Sequence, residues 1–126
     1  MNEQKVRKGV IVIARSKDRK YLILKQKKDN SYSCISGGIE DGEDFFDAAV
    51  REAKEEVGLD LARGNFKDTS LSISFVSGKG PCEQRVLYLK IDSSVDIKVD
   101  NLEISGYEWM TKQEAVRSFK SKPPLP

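Results

Sequence analysis

Histidine is absent from this chain of 126 residues, and that absence removes several kinds of chemistry. No Ser–His–Asp arrangement, no His₂ or His₃ metal site and no imidazole general base can be built from it. Cysteine is nearly as scarce. Cys34 and Cys82 are too few for a disulfide framework or a Cys₄ zinc site, and they read as reduced thiols of a cytoplasmic protein, with a single bridge left open. Long apolar runs are missing as well. The longest, residues 10–14, is far short of a membrane span, and the opening MNEQKVRKG lacks the apolar core of a secretory signal. No membrane association is expected.

What the sequence does have is charge, unevenly placed. Twenty-two Lys and Arg against 20 Asp and Glu leave a net charge of +2, too small to argue for stable nucleic-acid binding. Residues 1–28 hold ten basic side chains and two acids, whereas residues 29–60 hold two basic side chains and ten acids. A basic first segment thus precedes an intensely acidic centre. With 38% hydrophobic and 33% charged residues, the composition is that of a globular protein, and the length fits one domain over residues 1–126.

The apolar pattern alternates between strand and helix periods. Residues 6–14 read as a buried strand, and residues 21–24 as a second strand that forms a hairpin with it across a polar turn. Residues 34–36 form a short extended piece before a glycine-rich stretch, Gly37 to Glu43. From Asp44 to Val57 the period becomes helical: Phe46, Ala49, Val50, Ala53 and Val57 mark a core face, with Asp44 as N-cap and Gly58 just past the end. Residues 70–76 and 84–91 read as strands joined by a turn-rich, mobile link, residues 104–110 as a last short strand. Thr111 and Glu114 form a capping-box pair opening a second helix to about Phe119. The tail, residues 122–126, is proline-rich and expected to be loose. Strands mixed with two helices give an α/β or α+β domain.

The chemistry concentrates on the acidic helix. Glu52 lies three residues from Glu55 and four from Glu56, so these carboxylates neighbour one another on one face. Arg51 can reach Asp47 and Glu55, which leaves Glu52 and Glu56 without a cation at helical spacing. Each exposed like-charge pair costs about 0.2–0.5 kcal/mol, and more when partly buried. A divalent cation is the natural relief, and an all-oxygen donor set favours Mg²⁺ or Mn²⁺ over Zn²⁺. The preceding glycines, Gly37, Gly38 and Gly42, let the backbone turn sharply and bring a carbonyl beside the acidic face. A cation held there with a diphosphate could neutralise phosphoryl oxygens and activate water.

Residues 37–59, GGIEDGEDFFDAAVREAKEEVGL, resemble the Nudix box: a glycine, five residues, Glu, seven residues, Arg-Glu, an aliphatic, any residue, Glu-Glu, any residue, Gly and an aliphatic. Gly37, Glu43, Arg51, Glu52, Glu55, Glu56, Gly58 and Leu59 fill the fixed positions, with Ala53 in the first aliphatic slot. The resemblance implies an α/β/α sandwich around a mixed central sheet, and Mg²⁺- or Mn²⁺-dependent hydrolysis of a small nucleotide, a nucleoside diphosphate linked to another group. Carried over, Glu52, Glu55 and Glu56 would ligate the metal with the Gly37 carbonyl. Arg51 would orient the glutamates, and Glu43 would support the loop or bind metal indirectly.

The general base varies among such proteins. Glu52 could serve, or a glutamate from a later loop; Glu103 in EISGYEW resembles that later position, and Glu83 is a weaker candidate. Lys25 and Lys27 stand where a basic residue often meets phosphate, and Tyr32 could stack on a base. The leading expectation is a nucleoside triphosphate pyrophosphohydrolase. Hydrolysis of ADP-ribose or of dinucleoside polyphosphates is the alternative, followed by a non-catalytic nucleotide sensor. An isoprenoid isomerase, which would use histidine ligands, is excluded by the absence of His. Homodimerisation is a further expectation from the resemblance.

Overall fold

A computed structural model describes residues 5–120; the tail expected to be loose, residues 122–126, lies outside the described residues. The first strand, β1 (Arg7–Arg15), sets the layering by simple alternation. Val10, Val12 and Ala14 are buried against one face, while Ile11 and Ile13 point to the other and stay half-buried. The unbroken apolar run of residues 10–14, sending side chains alternately to the two faces, is what a strand covered on both faces requires.

Chain order then runs through β2 (Tyr21–Gln26), β3 (Tyr32–Ser33), β4 (Ile35–Gly38), α1 (Phe45–Val57), a single 3₁₀ turn (Arg63–Asn65), β5 (Phe66–Ser77), β6 (Gly80–Lys90), β7 (Ile104–Met110) and α2 (Lys112–Lys120). The seven strands form one mixed sheet. β1 runs parallel to β6, β6 pairs antiparallel with β5, and β2 pairs antiparallel with both β3 and β7. On one face, the apolar side of α1 (Ala48, Ala49, Ala53, Val57) packs with Val10, Val12, Leu22, Leu24, Ile35, Leu87 and Leu89. On the other, Ala115 of α2 packs with Ile23, Cys34 and Met110, and Ile11, Ile13 and Tyr32 join them. The result is the expected α/β fold, a mixed sheet between two helices.

Three local expectations need correction. The hairpin between the first two strands is only nominal, because β1 and β2 meet at Arg15 and Tyr21 alone. Ser16 closes the turn through its backbone N–H to Lys20 O at 2.8 Å, after which β2 diverges towards β7. β4 takes the vacated edge, antiparallel to residues 9–12 of β1. The sheet is therefore forked, with an opening between β4 and the end of β2. Secondly, the link between β5 and β6 is a tight two-residue turn at Gly78 and Lys79, not a loose loop. Ser77 Oγ accepts the Lys79 N–H at 3.1 Å and closes it. Thirdly, β5 begins at Phe66, four residues before the expected start, with an irregularity between Asp68 and Leu71 where Ser70 adopts φ 64°. The bulge hid the continuity of the strand from a period-two reading.

Candidate active site

Both ends of α1 are fixed by the residues the sequence offers. Asp47 N–H donates to Asp44 Oδ1 at 2.9 Å and Asp44 N–H to Asp47 Oδ2 at 3.1 Å, a reciprocal cap, and Arg63 braces both carboxylates from outside. At the other end Gly58 adopts φ 71°, and Leu59 N–H returns to Ala53 O at 3.3 Å, satisfying carbonyls that would otherwise be orphaned. The helix is thereby held at both ends with its acidic face towards β4.

Arg51 organises that face. Its Nε and Nη2 donate to the two oxygens of Glu43 at 2.8 and 3.0 Å, and Nη2 also donates to Gly38 O at 2.8 Å. Nη1 reaches Glu52 at 2.8 Å and Glu55 at 3.4 Å, with Glu40 at 3.6 Å from Nε. This corrects the helical-spacing argument, which gave Arg51 to Asp47 and Glu55 and left Glu52 unpaired. Asp47 is taken by Arg63 and the cap, and the long guanidinium bends back to its immediate neighbour. The paired guanidinium holds the Glu43 carboxyl below its ordinary range.

Glu56 is different. It is the sole buried acid of the described residues, and none of their Lys or Arg side chains pairs with it. Its Oε1 accepts one backbone N–H, from Ser36 at 3.1 Å. Burial pushes the carboxyl up to about 8, and the nearby charges of Glu52, Glu103 and Asp100 push the same way. Burial also raises the Glu52 carboxyl, against the opposing pull of Arg51.

Gly37 and Ser36 play separate parts. A Cβ at Gly37 would stand 2.8 Å from Glu52 Cγ and closer still to its carboxylate, so the bare glycine is what admits the Glu52 side chain. The Gly37 carbonyl oxygen, however, lies against β1: a Cβ at Gly9 would come within 2.7 Å of it. Ser36 turns its N–H away from β1 to Glu56, and in an extended strand a residue's N–H and C=O point the same way. The Ser36 and Gly38 carbonyls both turn away from β1, and Arg51 takes that of Gly38, which leaves the Ser36 carbonyl on the side of Glu56. Gly9 and Ser36 were both missed by sequence reasoning; only the strand register reveals them.

Glu103 arrives from the far side of the fork. Asp100 Oδ1 accepts the N–H groups of Leu102, Glu103 and Ile104 at 3.0, 3.1 and 3.1 Å, which shapes the loop carrying it. Lys27 ties this loop to β2, its N–H donating to Glu103 O at 2.8 Å and its Nζ to Asn101 O at 2.7 Å. Lys27 thus grips the loop, while Lys25 lies within β2 opposite Tyr32 and Gly106. Tyr32 is half-buried in the cluster beneath α2 and borders a cavity on that face. Glu83 pairs with Lys8 on β1.

Every donor in the acidic group is an oxygen, and no cation among the described residues pairs with the buried Glu56, so the residues fit a hard divalent ion in their chemistry. In their present arrangement no three Asp, Glu or Cys side chains among the described residues are gathered as a finished cage, and Arg51 holds Glu52. Exchange of Glu52 from Arg51 to an ion is the rearrangement such binding would require.

Known proteins resemble this chain in sequence and in fold. The RNA pyrophosphohydrolase of Pelagibacter ubique (strain HTCC1062) is 27% identical over 129 residues, covering 87% of this chain and 82% of that protein. Nudix hydrolase 19, chloroplastic, of Arabidopsis thaliana is 26% identical over 111 residues, covering 87% of this chain but only 25% of its own length, so the chain spans about a quarter of that relative. The structure of the E. coli dihydroneopterin triphosphate pyrophosphohydrolase superposes with a TM-score of 0.80 at 23% identity, over 93% of this chain and 90% of that one. The model of the NUDIX domain matches residues 5–125, and the chain belongs to the Nudix family.

Proposed function

We propose that the chain hydrolyses the diphosphate linkage of a nucleoside triphosphate or a related nucleoside diphosphate derivative, with Mg²⁺ or Mn²⁺, in the cytoplasm. The observation that carries the reading is the buried Glu56, without a cationic partner among the described residues, beside Glu52 on α1 and near Glu103 on the loop before β7. Glu52, Glu55 and Glu56 would hold the ion together with a β4 backbone carbonyl, that of Ser36 in place of Gly37. A bound ion would supply charge neutralisation at the phosphoryl oxygens and lower the pKa of a coordinated water.

The chain's own residues do the rest. Arg51, clamped on Glu43 and Gly38 O, fixes the register between loop and helix and guides Glu52. Glu52 or Glu103 takes the proton from the attacking water, since no imidazole exists to do so. Lys27 holds the Glu103 loop closed against β2, and Lys25 lies on the same strand as a phosphate contact. The relative from Pelagibacter ubique is named as acting on RNA and the E. coli structure as acting on dihydroneopterin triphosphate. Both names describe cleavage at a pyrophosphate bond, which supports the reaction class and leaves the substrate to experiment.

A panel of nucleoside triphosphates, ADP-ribose and dinucleoside polyphosphates, incubated with purified protein and Mg²⁺, tests the reading directly. Release of a nucleoside monophosphate and pyrophosphate is expected; two nucleotides, or AMP with ribose 5-phosphate, would select the alternative. Glu52→Gln and Glu56→Gln are each expected to lower turnover by at least about 100-fold. Near-normal rates in both variants would reject the site.

A further inference from the structure

The face of the sheet opposite α1 carries a cavity of ≈ 640 Å³ that extends from Ser36 on β4, across Ile11 and Ile13 of β1, to Gln84 of β6 and Phe75 of β5. A second hollow, bounded by Gly9, Gly37 and Gly38, shares Phe75 and Gln84 with it, so the two form one trough running past the glycines of the fork. Its size is that of a site for a small organic ligand. Its far end is built unlike its near end. Phe75 is 42% exposed although it stands on a strand, and Phe119 of α2, 38% exposed, borders the same space. Gln84, half-buried, borders the same space, and its side-chain amide has no hydrogen-bond partner among the described residues. Gly9 lies beneath it: a Cβ there would stand 3.5 Å from Gln84 Cγ.

We propose that Gln84 reads the edge of the substrate's nucleobase while Phe75 offers its face for stacking, making this end of the trough the specificity-determining part of the site. The inference rests on the hydrolase reading for the placement of the phosphates, and the distances agree with it. Ser36, whose backbone meets Glu56, lies on β4, and Gln84 lies two strands away in the order β4–β1–β6. At about 4.8 Å per strand, with an offset of two residues along the strands, the separation is roughly 11–12 Å. That is about the reach of a nucleoside monophosphate from phosphorus to base edge. A primary amide presents one donor and one acceptor side by side, the pattern displayed by the hydrogen-bonding edge of a nucleobase. A ring on one face and an amide at the edge are what base recognition needs. Arg7 and Lys8 border the hollow that shares Phe75 and Gln84, so the base edge meets a neutral amide with basic side chains beside it.

Titration calorimetry with the four ribonucleoside 5′-monophosphates and with ribose 5-phosphate, on wild type, Gln84→Ala and Gln84→Glu, tests the proposal. The wild type is expected to bind at least one nucleotide about tenfold or more tightly than ribose 5-phosphate, and Gln84→Ala to remove most of that difference while leaving ribose 5-phosphate affinity unchanged within about twofold. Gln84→Glu, which can only accept, is expected to reorder the four bases. Equal loss for nucleotides and ribose 5-phosphate in Gln84→Ala, or an unchanged base ranking in Gln84→Glu, would overturn it. A wild type that prefers a base yet hydrolyses nothing would overturn the hydrolase reading alone. A wild type that hydrolyses nucleotides but ranks all bases with ribose 5-phosphate would overturn this inference alone.

Discussion

Burial withholds water from Glu56, and the single N–H of Ser36 does not replace it, so the carboxyl is pushed up from its ordinary 4.5 to about 8. Between those two values the unfolded chain has released a proton that the folded chain still holds. Stability of the metal-free protein therefore falls as pH rises from about 4.5 to about 8, and is greatest at the acidic side of that window as far as Glu56 is concerned. Urea unfolding of metal-free protein at pH 5.5 and 8 is expected to show this decline. Glu56→Gln keeps an acceptor for Ser36 and removes the charge, so it is expected to flatten the slope and to be the more stable protein at pH 8 while losing turnover. A variant that is destabilised at pH 8 would contradict the idea that the fold bears a cost at this residue for the sake of the site. Arg51 is a separate residue-scale case. Its planar fork holds both oxygens of Glu43 and a backbone carbonyl at once, which an ammonium cannot reproduce. Arg51→Lys is expected to lower kcat by about tenfold or more through mispositioned glutamates, with a far smaller effect on urea stability.

The helix and the two loops beside it show where the sequence was informative and where it was silent. The limits of α1, its Asp44 cap and its Gly58 stop were legible because local spacing and local hydrogen bonds decide them. So were Glu52, Glu55 and Glu56 as neighbours on one face. The exchange of Glu52 towards Arg51, the burial of Glu56 beneath β4 and the orientation of the Ser36 backbone were not legible, since they depend on which strand lies beside β1. Glu103 could be picked out, yet Asp100, which shapes its loop with three backbone contacts, was passed over; the Asp-Asn-Leu-Glu run was its only local signal. Two element-scale outcomes follow from these contacts. Gly58→Ala puts a Cβ on a residue at φ 71° and 3.1 Å from Lys98 Cβ, so a loss of about 1–2 kcal/mol in denaturant unfolding is expected with kcat preserved. Asp100→Ala frees the Glu103 loop and is expected to lower kcat by about tenfold, with partial rescue in Asp100→Asn, which retains an acceptor. Equal kcat in wild type and Asp100→Ala would show that Glu103 does not act in the reaction.

Across the whole molecule, function depends on the fork in the sheet. β2 leaves β1 after one residue pair, β4 fills the edge, and the opening between them lets helix carboxylates from one face approach a trough on the other. Such an arrangement needs glycine at Gly37, where Glu52 lies against the bare Cα, and at Gly9, where no Cβ could stand beside the Gly37 oxygen. The acidic centre of the sequence thus becomes a cluster shared between α1 and the loop before β7, with one member buried and without a cationic partner among the described residues. If that cluster exists to hold a divalent cation, calorimetric titration of Mg²⁺ or Mn²⁺ into the wild type and Glu56→Gln, with a non-hydrolysable nucleotide present, gives the most direct answer. Saturable binding in the wild type that is lost or weakened at least tenfold in Glu56→Gln is the predicted result, on the scale of removing one charged ligand. Absence of saturable binding in the wild type, or equal binding in the two proteins, would contradict the account.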